Sequence, residues 1–218
     1  MKKASLIFTL LLAFGMTTAS FAQFSIGPRI AANLANVDGE SDGESVDADS
    51  RFGFAFGAAV EIGISEMFSI QPEVLYSQHG FKFSETLLDE TIDFNFNHNY
   101  LQIPILAKVK FGGDPVGFHV AVGPHIGFGI GDVKSEATFM GETEEDTSSW
   151  EDAGFKTLDF GITGGAGVSF AAGPGSLGID VRYQFGLANF LDEPEGDDFI
   201  KNRNLQIGLS YLIPIGGN

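Results

Sequence analysis

From Phe24 onward, apolar and polar residues alternate with a period of two over long segments. A strand with one apolar and one polar face has that pattern, whereas a helix would scatter both sets around its circumference. Phe52, Phe54, Phe56, Ala58, Val60 and Ile62 share one parity, and Gly53, Ala55, Gly57, Ala59 and Glu61 share the other. The alternation returns at Phe68 to Tyr76, Leu101 to Phe111, Val116 to Phe128, Leu158 to Phe170, Leu177 to Leu187 and Leu205 to Ile213. With Phe24 to Leu34 at the start, the pattern predicts eight strands.

These segments approach the 9 to 11 residues that a tilted strand needs to cross a bilayer, and exceed the roughly 5 or 6 of an ordinary soluble strand. The links between them alternate in length. Residues 63–67, 112–115 and 171–175 are short links, whereas 35–51, 82–99, 131–156 and 188–203 are long. The prediction is an all-β, eight-stranded antiparallel up-and-down transmembrane β-barrel, with short periplasmic turns and long acidic extracellular loops.

The polarity of the two faces decides which side meets lipid. The inner parity carries Arg29, Glu61, Glu73, Lys108, Lys110, Asp159, Asp180 and Arg182, four of each sign, and the outer parity carries no charge. Lipid demands the second face, and a narrow lumen tolerates the first if its charges are paired in a structural polar network. Four prolines complicate the ladder, since Pro28, Pro72, Pro104 and Pro124 fall inside these strands without an N–H to donate. Bulges that shift parity are expected there.

Composition narrows the classes further. A net charge of −17 disfavours nucleic acid, while 44% hydrophobic residues and 22 Phe do not fit a disordered chain. Without cysteine, no disulfide or thiolate chemistry supports the fold. Met1-Lys2-Lys3, an apolar run from Leu6 to Met16, and small residues at Ser20 and Ala22 predict a signal peptide over residues 1–22. The domain then occupies residues 23–218.

Candidate chemistry is sparse. His119 and His125 share the inner parity and Asp159 can approach them from the next strand, but spacing places no serine nucleophile beside them. Asp38, Glu40, Asp42 and Glu44 supply oxygen ligands at alternate positions, as weak divalent-cation sites do, without the full calcium-loop pattern. Trp150 stands alone in the third long link, where a tryptophan packs locally, rests at the membrane interface or anchors a partner. No cofactor is expected.

Residues 53–64 (GFAFGAAVEIGI), 70–80 (IQPEVLYSQHG), 100–109 (YLQIPILAKV), 120–127 (VAVGPHIG) and 180–187 (DVRYQFGL) carry a resemblance. In these phrases the chain resembles the PorT-like family of small outer-membrane barrels of Bacteroidetes-type bacteria. The last strand is similar to a barrel sorting signal through Gln206, Gly208, Tyr211 and Ile213, although the chain ends in Ile215-Gly216-Gly217-Asn218 without a final aromatic. The resemblance implies an outer-membrane location and leaves activity undefined.

The expected role is a non-enzymatic outer-membrane protein, structural or surface-interacting. Its expected partners are membrane lipid, lipopolysaccharide and proteins met through the extracellular loops. Two other readings stand beside it. One is a component of a protein secretion system, which the resemblance implies because the family's named member belongs to one. The other is a soluble lipocalin-like barrel, which requires an apolar lumen and a polar exterior.

Overall fold

The computed structural model describes residues 24–215 apart from 42, 47, 88, 89, 114, 193, 195 and 197. The signal-peptide segment therefore lies outside the described residues, as does the Asp42 position.

The strands are β1 (Phe24–Ser41), β2 (Glu44–Ser45), β3 (Asp49–Gly63), β4 (Phe68–Leu87), β5 (Glu90–Gly113), β6 (Val116–Phe139), β7 (Glu142–Ser148), β8 (Leu158–Ala172), β9 (Gly175–Gly186) and β10 (Phe199–Ile215). Each pairs antiparallel with its neighbour in the order β10-β9-β8-β6-β5-β4-β3-β1, and β1 pairs again with β10. That last pairing, from Phe24 opposite Ile215 to Glu40 opposite Phe199, closes the ring and leaves no open edge around the wall. Eight strands make the wall. The other two, β2 and β7, are short additions hydrogen-bonded to β1 and β6.

Alternation decides what each face meets. Phe52, Phe54 and Phe56 on β3, Phe118, Val120 and Val122 on β6, and Val181, Tyr183 and Phe185 on β9 all point outward and are exposed. Inward neighbours such as Arg29, Gln71, Glu73, Gln102, Asp180, Arg182 and Gln206 are buried. An apolar exterior around a polar interior reverses the lipocalin arrangement, and that alternative falls. The outward apolar residues define the membrane-spanning segments, which end on the extracellular side at Leu34, Phe52, Tyr76, Leu101, Phe128, Leu158, Leu187 and Leu205.

The prolines do not produce the expected bulges. Pro28 stays in register with Ala58, Pro72 with Ile105, Pro104 with His125 and Pro124 with Ile162, and the register is the same on either side of each. Register shifts fall instead between Ser50 and Ala55 and between Asn97 and Asn99. Two of the prolines follow glycine. Built Cβ atoms at Gly27 and Gly123 would collide with the carbonyl oxygens of Tyr211 and Ile105. The partner backbone thus moves into the space a side chain would fill, and a missing ladder bond is absorbed without a slip.

The long links are also more ordered than the pattern predicts. Strands β4 and β5 continue past the apolar belt to a hairpin at Leu87 and Glu90, and β6 continues to Phe139 before β7 returns. A four-stranded sheet of β4, β5, β6 and β7 therefore projects beyond the extracellular end of the barrel.

Candidate functional site

Two joined charge clusters occupy the lumen, one across its middle and one along the wall of its periplasmic half. In the first, Arg29 Nη1 and Nη2 donate to Asp180 Oδ2 at 2.6 Å and Oδ1 at 2.8 Å. Arg182 Nη1 donates to both Glu73 oxygens at 2.9 Å, and its Nε lies 2.8 Å from Asp180 Oδ1. Arg29 Nε at 3.4 Å from Glu73 completes a quartet with two charges of each sign. Space for the Arg29 guanidinium comes from Gly208, where a built Cβ would clash with it. In the second cluster, Lys108 Nζ donates to Glu61 at 2.6 Å and to Gln71 at 2.7 Å, and Lys110 Nζ donates to Glu61 at 3.0 Å. Gln71 Nε2 donates to Glu73 at 2.5 Å and joins the two.

Seven of the eight predicted lumen charges meet in this network. Asp159 does not; it accepts from Asn202 Nδ2 at 3.3 Å, and the same nitrogen lies 3.2 Å from the Tyr100 hydroxyl. Lys110 is also less enclosed than its parity implies, with 36% of its side chain exposed. Around Asp159 the upper lumen uses amides and hydroxyls, with Gln184 Nε2 donating to Gln102 at 2.8 Å and Asn204 Nδ2 to Gln184 at 2.9 Å. His125 Nδ1 lies 2.9 Å from Thr163 Oγ1. Among the described residues Asp159 hydrogen-bonds to neither His119 nor His125, so the base and acid suggested by their shared parity do not meet.

Above the belt, the extracellular mouth is closed by an apolar cap of Val37, Phe81, Tyr100, Val133, Trp150 and Phe190. Trp150 packs locally and donates its indole N–H to the Gly131 carbonyl at 2.9 Å. His98 is 1% exposed and stands 4.9 Å from Phe190 and 5.4 Å from Trp150 between ring centroids. Neither of its ring nitrogens has a partner among the described residues. His79 and His98 lie three residues beyond Tyr76 and Leu101, outside the spanning segments. Burial, with the nearby charge of His125, pushes His79 down to about 3. Burial, then His79 and Arg51, holds His98 well below the usual imidazole range. The cap was hidden from sequence pattern because its members come from six separate segments. Phe81 and Phe96 stack at 5.0 Å only once β4 and β5 are paired.

Of the four proposed cation ligands, three lie among the described residues. Asp38 accepts from Arg203 Nη2 at 2.8 Å, whereas Glu40 and Glu44 are exposed. No group of three acidic, histidine or cysteine side chains able to hold a metal occurs among the described residues.

A ring of eight paired strands with an apolar outside and a charge-filled inside has the form that lipid imposes on a spanning sheet. A family model described as outer membrane protein beta-barrel domain matches residues 19–192. The chain belongs to that family. As an outer membrane protein beta-barrel domain, it resides in the outer membrane. It is similar to the solved structures of Ail, the attachment invasion locus protein of Yersinia pestis, at 17% identity over 88% of this chain and 99% of that one with a TM-score of 0.42. It is also similar to Neisserial surface protein A, at 14% identity over 86% and 97% with a TM-score of 0.42. OprG from Pseudomonas aeruginosa matches at 13% identity over 88% and 96%, with a TM-score of 0.44. No curated protein matches the chain.

Proposed function

We propose that this outer-membrane barrel is a non-enzymatic surface-interaction protein, whose wall anchors it in lipid and whose extracellular sheet meets partners outside the cell. The observation that carries this reading is β7. It is the outermost strand of the projecting sheet, hydrogen-bonded on one side only, and it bears Glu142, Glu144, Glu145 and Asp146 without a cation. Such a strand offers free backbone groups together with a dense negative charge. A partner with a basic surface is the complement.

In this reading the lumen charges Arg29, Glu61, Glu73, Lys108, Lys110, Asp159, Asp180 and Arg182 have a structural role. The quartet supports it, because paired buried charges favour one arrangement of the strands that carry them. Residues 1–22 act as the cleaved export signal. The PorT-like phrases support a position in that branch of the family.

The reading is tested with the protein in nanodiscs, measuring its retention on a polylysine surface. Replacing Glu142, Glu144 and Glu145 with Gln and Asp146 with Asn reduces retention at least several-fold and leaves the barrel's urea midpoint unchanged. Equal retention of the neutralised variant rejects a surface-interaction role for this strand. Stable copurification with export subunits from detergent extracts would favour the secretion reading instead.

A further inference from the structure

The periplasmic half of the lumen is a cavity of about 640 Å³, within the range of roughly 300 to 1,000 Å³ of small-molecule sites. Turn residues Gly112, Gly113, Pro115, Gly173 and Pro174 line its mouth, so it opens to the periplasm. Above it, the quartet occupies the lumen and the aromatic cap closes the far end. The space is blind, a place to bind and not a passage.

Its walls differ. On one side, cross-strand pairing sets Gly117, Ser169, Gly178 and Ser210 in a row across β6, β8, β9 and β10. A Cβ on Gly117 would stand 2.9 Å from Ser169 Oγ, and one on Gly178 would stand 2.7 Å from Ser210 Oγ. The small residues therefore keep this wall open. Ser210 is only 8% exposed and lines the cavity, and its hydroxyl has no partner among the described residues. On the other side stand Glu61, Lys108 and Lys110. The quartet above is neutral, and in the inner cluster the single Glu61 carboxylate faces two lysines and leaves one positive charge in excess, offset only by Glu66 at the exposed rim. Lys110, the more exposed of the two, holds that charge at the cavity.

We infer that this cavity binds a small solute bearing a carboxylate or phosphate, drawn from the periplasm. Lys110 supplies the charge, and the Ser169 and Ser210 hydroxyls donate to the anion or to its polar body. The acidic loops lie at the opposite end of the barrel, beyond the roughly 8 Å over which charges act through physiological salt. At the rim, the exposed Glu66 opposes entry, and Glu66→Gln tightens binding about twofold.

The test uses the full mature chain folded in a neutral maltoside detergent, titrated separately with sodium phosphate and sodium acetate against sodium chloride at constant ionic strength. Amide shifts of Gly117, Ser169, Gly178 and Ser210, and the Nζ resonance of Lys110, are followed by NMR. Saturable shifts at these positions with either anion support the site, and the anion that acts names the head group. Lys110→Gln weakens the saturation at least tenfold, while Lys108 remains to hold Glu61. Linear shifts with both anions, or undiminished saturation in Lys110→Gln, overturn the proposal. If that variant does not fold, the wild-type titration alone decides between saturable and linear.

Discussion

Arg29 on β1 and Asp180 on β9 are 151 positions apart in the chain, yet their side chains meet in a two-pronged ion pair at 2.6 and 2.8 Å. The pair reaches across β10, over Gly208, from two strands that are not hydrogen-bonded to each other. It therefore reports barrel closure in a way that a ladder bond cannot.

Removing Arg29 leaves two buried carboxylates, Glu73 and Asp180, to share the single Arg182, and an uncompensated buried charge costs about 3–5 kcal/mol. Arg29→Ala is expected to lower the stability of the lipid-embedded barrel by that amount in urea unfolding. Arg29→Met combined with Asp180→Leu leaves the Glu73–Arg182 pair neutral and recovers much of the loss. A double variant no more stable than the single one would show that the pair does not carry the effect.

Acid should loosen the extracellular cap. His79 and His98 are held in the neutral form, with His79 at about 3 against an ordinary value of 6.5. Below pH 6.5 the opened cap takes up protons that the closed cap refuses, so stability falls as pH drops from 6.5 toward 3. The single tryptophan of the chain, Trp150, lies in this cap. Its fluorescence is expected to shift to the red between pH 6.5 and 5, and His98→Phe is expected to flatten that transition. An unchanged emission over this interval in the unmodified protein counts against the cap's dependence on neutral imidazole.

Closure at the β1–β10 seam depends on close backbone approach at Gly27. A larger side chain there meets the Tyr211 carbonyl, which is rigid backbone and cannot step aside. Gly27→Val is expected to reduce the fraction of chain that acquires protease resistance on refolding, whereas Ser25→Val, two residues away on the same face, is tolerated. Equal refolding of both variants would mean that the seam has slack.

Much of the wall was legible in the sequence because lipid makes a period-two code unusually strict. Phe118, Val120 and Val122 could face only one solvent, and His119 and Ala121 only the other. The inward parity of Arg29, Glu73, Asp180 and Arg182 followed from the same code. Their pairing did not, since alternation gives a face without giving the register that lets Arg29 reach over β10 to Asp180. Asp159 shows the limit, sharing the parity of the other charges but sitting in the amide layer with Asn202. The prolines misled because a missing donor was equated with a bulge, whereas Gly27 and Gly123 let the partner strand close in. The aromatic cap and β7 arise from long-range contact and from polar segments, for which periodicity has no signal.

Every role assigned to the wall depends on which of its sides meets lipid. The absence of native cysteine allows single-cysteine spin labels to be placed one by one along β6 from Phe118 to Phe128 in bilayer-embedded protein. Electron paramagnetic resonance then reads the accessibility of each label to oxygen, which partitions into lipid, and to a water-soluble nickel complex. The predicted result is an oscillation of period two, with oxygen maxima at the even positions 118, 120, 122, 124, 126 and 128 and minima between them. Maxima at the odd positions, or nickel maxima at the even ones, would contradict a membrane-spanning barrel with this polarity.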